Sequence, residues 1–232
     1  MIVMFIKKHI PYIFIVLFGS AASLSTLAGN PGFPADPELI VNESTGLSVP
    51  KGFETDLIYK VDRAKYGSWI SMTFDNKGRL VVSDQYKAGT FLIDVPEVGK
   101  TLSESDITKL PLKSEQWGML YAFDHLYMVS QKRVVRVPVS ESGEYGKEEE
   151  LFPLQGGWEH GPHSLIVTED GKGLYFVAGN FAKNPPFESS RIRTNWKDDV
   201  LLENYAYGHN GTGKAPGGWV IRLDPDGTNR EM

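Results

Sequence analysis

The chain contains no cysteine. That excludes disulfides, thiolate metal sites, a cysteine nucleophile, a lipobox and a Cys-x-x-Cys-His haem attachment within these residues. A basic stripe is missing too: 24 Lys and Arg face 29 Asp and Glu, for a net charge of −5. Basic residues run together only as pairs such as Lys132-Arg133. A nucleic-acid partner needs a concentrated positive face, so none is expected. No window shows a convincing helical apolar period. What remains is a 232-residue chain that is 41% hydrophobic and 12% aromatic. It is apolar enough for a real core and too apolar for a disordered chain.

The first 28 residues read as an export signal. Lys7-Lys8 precede the apolar run 10–18, small residues follow, and Thr26-Leu27-Ala28 fits a cleavage site. An uncleaved membrane anchor is the alternative, but residues 9–28 include Pro11 and several polar residues. A spanning helix needs about 20 predominantly apolar residues. The expected location is therefore periplasmic or extracellular, with membrane association as the alternative. Residues 29–52, rich in Pro, Gly, Asn and Ser, read as an extended leader ahead of a domain at 53–232.

That domain repeats itself. Residues 71–84 with 90–95, 118–130 with 133–139, and 165–180 with 218–224 each give a strand, a tight turn, a second strand and a third. The residue after each turn is Leu80, Leu126 or Leu174, spaced 46 and 48 apart. Recurrence at about 40–50 residues from β-strands is the signature of propeller blades, which bury their faces only by stacking. The expected fold is all-β, an incomplete β-propeller of about three to four blades; a β-sandwich is the alternative. Asp224-Pro225-Asp226-Gly227 reads as a turn leading to no following strand, so a fragment of a longer protein is expected.

Chemistry concentrates at His160-Gly161-Pro162-His163, directly before the third unit. An unperturbed imidazole titrates at about pH 6.5, which suits a base near neutrality. Such histidines also cap strands or bind carbonyls without doing chemistry. Metal binding by this pair is not expected, because no acidic residue at fixed spacing completes a ligand set. The long connection 181–217 is the second candidate, since loops beyond about 12–15 residues are usually functional or disordered. Its Arg191, Arg193, Trp196, Tyr205, Tyr207 and His209 could stack on a planar ring and hold carboxylates, although His209 between Gly208 and Asn210 reads first as a turn residue. Three further readings are bland. The sequons at Asn42 and Asn210 are chance, 148–150 is a solvated acidic loop, and Trp117 and Trp158 pack in the core.

The segments 160–165, 169–180 and 217–227 resemble the glucose/sorbosone dehydrogenase superfamily of quinoproteins. The closer likeness is to planctomycete-type membrane-bound dehydrogenase-like propeller proteins. The resemblance implies six blades, pyrroloquinoline quinone and calcium in a full-length protein, and a downstream c-type haem domain after helical repeats. It implies that His160, five residues before Leu165, is the general base for a sugar or alcohol hydroxyl, with His163 as the alternative. The usual glycine pair is replaced here by Gly161-Pro162-His163. The quinone-gripping Arg and Asn and the calcium loop would lie in later blades, so no cofactor ligand is assigned within this chain. A propeller that binds a glycan or protein without turnover is the alternative function.

Overall fold

The computed structural model describes residues 2–8, 10–16, 38–113, 115–155, 160–179, 181–183, 185–190 and 218–232, the first two stretches by backbone alone. Residues form two compact units, one of 1–64 with 95–106 and one of 65–94 with 107–232. Among the described residues no helix is long and apolar enough to cross a membrane.

In the first unit, β1 (Ile2–Lys8) pairs antiparallel with β2 (Ile10–Val16). The hairpin β3 (Leu39–Asn42) and β4 (Leu47–Pro50) lies within the stretch read as an extended leader. β5 (Thr55–Lys60) pairs antiparallel with β1 and belongs to this unit. The Asn42 side chain donates to the Thr55 carbonyl at 2.8 Å while its Oδ1 accepts from Ser44, which occupies the amide of that sequon structurally. One helical turn, α1 (Arg63–Tyr66), lies at the sequence boundary between the units.

The second unit is three successive antiparallel meanders. The first is β6 (Trp69–Phe74), β7 (Leu80–Asp84), β8 (Thr90–Ile93) and β9 (Ile107–Leu110). The second is β10 (Gly118–Ala122), β11 (His125–Val129), β12 (Arg133–Pro138) and β13 (Glu149–Pro153). The third is β14 (Pro162–Val167), β15 (Leu174–Ala178) and β16 (Trp219–Leu223). The opening strands β6, β10 and β14 lie side by side. Ser71 Oγ donates to the Gln116 carbonyl at 2.7 Å, and the Tyr121 amide donates to Thr73 Oγ1 at 3.2 Å, so β6 and β10 run in the same direction. Stacked antiparallel meanders of three or four strands with adjacent first strands are blades of an incomplete β-propeller.

The two-residue pleat decides which blade each side chain serves. Along β11, Leu126 and Met128 join Val81, Leu92 and Met119 between the first two blades. The alternate residues Tyr127 and Val129 join Phe152, Leu165, Phe176 and Ile221 between the second and third. A strand buried on both faces reads as a continuous apolar run, which is why 126–129 shows no alternation. In β15 the same kind of run is half open: Leu174, Phe176 and Ala178 are buried, Tyr175 and Val177 exposed. With Ile166 and Val220 they leave an apolar face on the third blade.

Three expectations need correction. The first two blades each have a fourth, outer strand beyond the three expected, β9 and β13, which are short and carry polar residues typical of edges. Residues 148–150 are exposed in part but are not a loop: the exposed Glu149 and Glu150 lie in β13, and Glu148 accepts from the Arg133 guanidinium at 2.6 Å. The turn at 224–227 does lead onward. Asp226 Oδ1 accepts from the Thr228 amide, the chain reverses, and Arg222 and Glu231 exchange both backbone hydrogen bonds at 2.8 Å. Glu231 thereby forms a single antiparallel bridge to β16 on the far side of the turn.

Candidate functional site

Register places His160 and His163 at one end of the blades. Trp69 faces Asp84, Gly118 faces Val129, and Pro162 faces Ala178, which faces Trp219. The starts of the three first strands therefore share an end with the turns after β7, β11 and β15. The long connection from β15 to β16 leaves from that same end.

His160 sits immediately before β14, half-buried, with its backbone clamped to the start of that connection. The Phe181 amide donates to the His160 carbonyl at 2.9 Å, and the Gly179 amide donates to the Gly161 carbonyl at 2.7 Å. The rings of His160 and Phe181 are 5.2 Å apart and tilted by 58°. A Cβ on Gly179 would overlap the His160 carbonyl, so only glycine allows this approach. The clamp continues through the Lys183 amide to the Gln155 carbonyl (2.8 Å) and the buried Trp219 indole to the Ala182 carbonyl (3.1 Å).

His163 is the second residue of β14 and faces the second blade. Its ring stands edge-on to Trp117 at 6.1 Å, and a Cβ on Gly118 would overlap its carbonyl. Trp117 is half-buried beside this imidazole rather than sealed in the core. Trp158 lies outside the described residues, as do Arg191, Arg193, Trp196, Tyr205, Tyr207 and His209. What is described of that connection turns outward: the Glu188 amide donates to the Arg230 carbonyl at 2.8 Å, and the Met232 amide to the Ser189 carbonyl at 3.0 Å. Residues 188–189 thus run along the outer edge of the third blade.

Beside this mouth, a cleft of about 800 Å³ opens between the first two blades, walled in part by Tyr86, Lys87, Lys109, Lys113, Trp117 and Lys132. The sequence gives no sign of this cleft, because four segments on two blades supply its walls. Two carboxylates shape the rims. Asp84 accepts from the amides of Ser68 (2.6 Å), Tyr86 (2.9 Å) and Ala88 (2.8 Å), fixing the turn after β7. Glu148 accepts from the Lys113 amide at 3.0 Å and from Arg133. Burial pushes the Glu148 carboxyl up, but the Lys113 amide and the Arg133 guanidinium outweigh it and hold the group below the usual range. Among the described residues no group of three His, Asp or Glu could hold a metal ion.

No protein-family model matches the chain, and no curated protein matches it. Solved structures do. The holo PQQ domain of pyranose dehydrogenase from Coprinopsis cinerea is 12% identical, with a TM-score of 0.41, over 49% of this chain and 28% of that one. The calcium structure of a family AA12 carbohydrate-active enzyme from Trichoderma reesei is 13% identical, with a TM-score of 0.44, over 68% and 36%. The PQQ-bound aldose sugar dehydrogenase of Streptomyces coelicolor is 19% identical, with a TM-score of 0.36, over 69% and 48%. The chain spans less than half the length of each.

Proposed function

We propose that this chain is part of an exported, propeller-type dehydrogenase that oxidises a sugar or other alcohol with a quinone as hydride acceptor, and that His160 is its general base. The observation that carries the reading is the position of His160. It heads the first strand of a blade, at the end where the inter-strand connections gather, and two backbone hydrogen bonds to 179–181 fix it there. A positioned imidazole at the mouth takes the proton from a substrate hydroxyl through a ring nitrogen, a contribution typically of about 10²–10⁴ in rate. Phe181, 5.2 Å away, gives the ring an apolar neighbour that limits its freedom.

Pyrroloquinoline quinone, when bound, would supply the two-electron acceptor. The described residues fit the proton side of this reaction only. They assemble no donor set for the quinone's carboxylates or for calcium, and Arg191 and Arg193 lie outside them. The proposal places the remaining donors in further blades of the planctomycete-type protein, with electrons passing on to a c-type haem domain. The exposed row of Ile166, Tyr175, Val177 and Val220 supports a further blade, since the equivalent face of each earlier blade is buried by its successor.

Export belongs to the same proposal and is supported by Lys7-Lys8 ahead of the apolar run. Cleavage after Ala28 would remove β1 and β2 and leave β5 without its partner. N-terminal sequencing of the secreted protein tests it, and a mature N-terminus at Met1 would refute it.

The dehydrogenase reading is tested by reconstituting the full-length protein with quinone and calcium and following dye reduction across a panel of sugars and alcohols. Substrate-dependent reduction supports the reading. Absence of quinone binding by the folded protein removes it and leaves a propeller that binds a glycan or protein without turnover.

A further inference from the structure

We infer that the cleft between the first and second blades binds an acidic saccharide chain, one whose rings carry carboxylate or sulfate groups. The inference takes no chemistry from the His160 reading and stands apart from it. Five cationic side chains (Lys87, Lys109, Lys113, Lys132 and Arg133) line the cleft against one acid, Glu115, in a chain whose net charge is −5. Among the described residues Lys87, Lys109 and Lys132 make no ion pair, and all three are exposed. Of the nearby acids, Asp84 is committed to three amides, while Glu148 pairs with Arg133 and lies 4.0 Å from the Lys113 ammonium, so the uncompensated charge of the cleft is that of Lys87, Lys109 and Lys132. Glu115 sits at φ 66, a left-handed conformation seldom adopted without glycine, and its amide is held by the Asp84 carbonyl at 3.1 Å. Strain held by its surroundings in this way clusters where function requires it.

The aromatic residues choose among anions. Tyr86, 59% exposed, and the half-buried Trp117 offer flat apolar faces beside the ammonium groups. A sugar ring presents an apolar face and, when oxidised or sulfated, an anion at its edge, which matches rings set beside lysines. The volume of about 800 Å³ falls within the range of small-ligand sites. A nucleic acid would need the positive charge spread along a face, whereas here it is confined to one cleft.

Calorimetric titration of the full chain with oligogalacturonate tests the assignment, with neutral dextran, polyphosphate and poly-glutamate as controls. The folded protein is expected to bind oligogalacturonate in preference to all three, more weakly as salt rises. Lys87→Glu with Lys132→Glu should weaken binding by about tenfold or more. Tyr86→Ala should weaken it by roughly fivefold and leave any polyphosphate binding unchanged. His160→Ala should leave binding intact, so loss of turnover with retained binding counts only against the dehydrogenase reading. Equal binding of dextran, equal binding of polyphosphate or poly-glutamate, indifference to Tyr86→Ala, or no binding by a protein of native circular dichroism would each overturn the assignment.

Discussion

The amide of Phe181 donates to the carbonyl of His160 at 2.9 Å, tying the first residue of a long connection to the residue that heads the third blade. The bond gives the imidazole a fixed backbone, and it makes the position of His160 depend on residues 179–181. Gly179 is the sensitive point, because a Cβ there would overlap the His160 carbonyl.

Gly179→Ala should therefore destabilise the second unit by about 1–3 kcal/mol, the usual range for forced overpacking. Denaturant unfolding measures the loss. If the variant unfolds at the wild-type midpoint, the close approach of 179 to 160 is not present in solution.

A second prediction concerns the joint between the first two blades. Asp75 accepts from the Arg79 side chain at 2.8 Å and from the Tyr145 hydroxyl at 3.0 Å, linking the β6–β7 turn to the segment after β12. Burial raises the Asp75 carboxyl, but Arg79, the amides of Lys77 and Arg79, and Tyr145 outweigh it and lower it below the usual range. A carboxyl depressed in the folded state contributes stability that is present above its unfolded pKa of about 3.9 and lost as pH falls through the folded value. Thermal midpoints should hold steady above about pH 5 and fall below about pH 4, and Asp75→Asn should flatten that part of the acid limb. An Asp75→Asn protein with the full wild-type acid loss would place the effect elsewhere.

The open face of the third blade yields a third. Ile166, Tyr175, Val177 and Val220 are between 40% and 60% exposed, on strands otherwise apolar enough for a core. An isolated chain should self-associate through this row, and Val177→Lys with Val220→Lys should return it to monomer in sedimentation velocity. A wild-type monomer at tens of micromolar would show that the face needs no cover.

Core packing between blades gives a fourth. Leu126 is fully buried among Val81, Met119 and Val135, so Leu126→Ala should cost about 3 kcal/mol. A loss below about 1 kcal/mol in urea unfolding would mean that the first two blades do not stack as described.

Much of the blade architecture was legible because burial on both faces writes itself as short apolar runs, and Leu80, Leu126 and Leu174 each fall at or next to the start of a second strand. The outer strands were not. Ile107-Thr108-Lys109-Leu110 and the acidic start of β13 look like loops, since an edge strand needs apolar residues on one side at most. The place of His160 ahead of the third blade was legible, because its distance from Leu165 is local in sequence. The cleft was not, because Lys87, Lys109, Lys113 and Lys132 come from separate segments and converge only through pairing. Trp117 shows the same limit: position alone marks it as core, while its partner His163 is 46 residues away in sequence.

The most direct test of the account is turnover by His160→Ala in the full-length protein reconstituted with quinone and calcium, alongside His163→Ala and a check that both variants bind quinone and melt like wild type. The account predicts that His160→Ala loses about 10²-fold or more in kcat with quinone binding retained, while His163→Ala keeps most of its activity. Equal turnover by wild type and His160→Ala would contradict it.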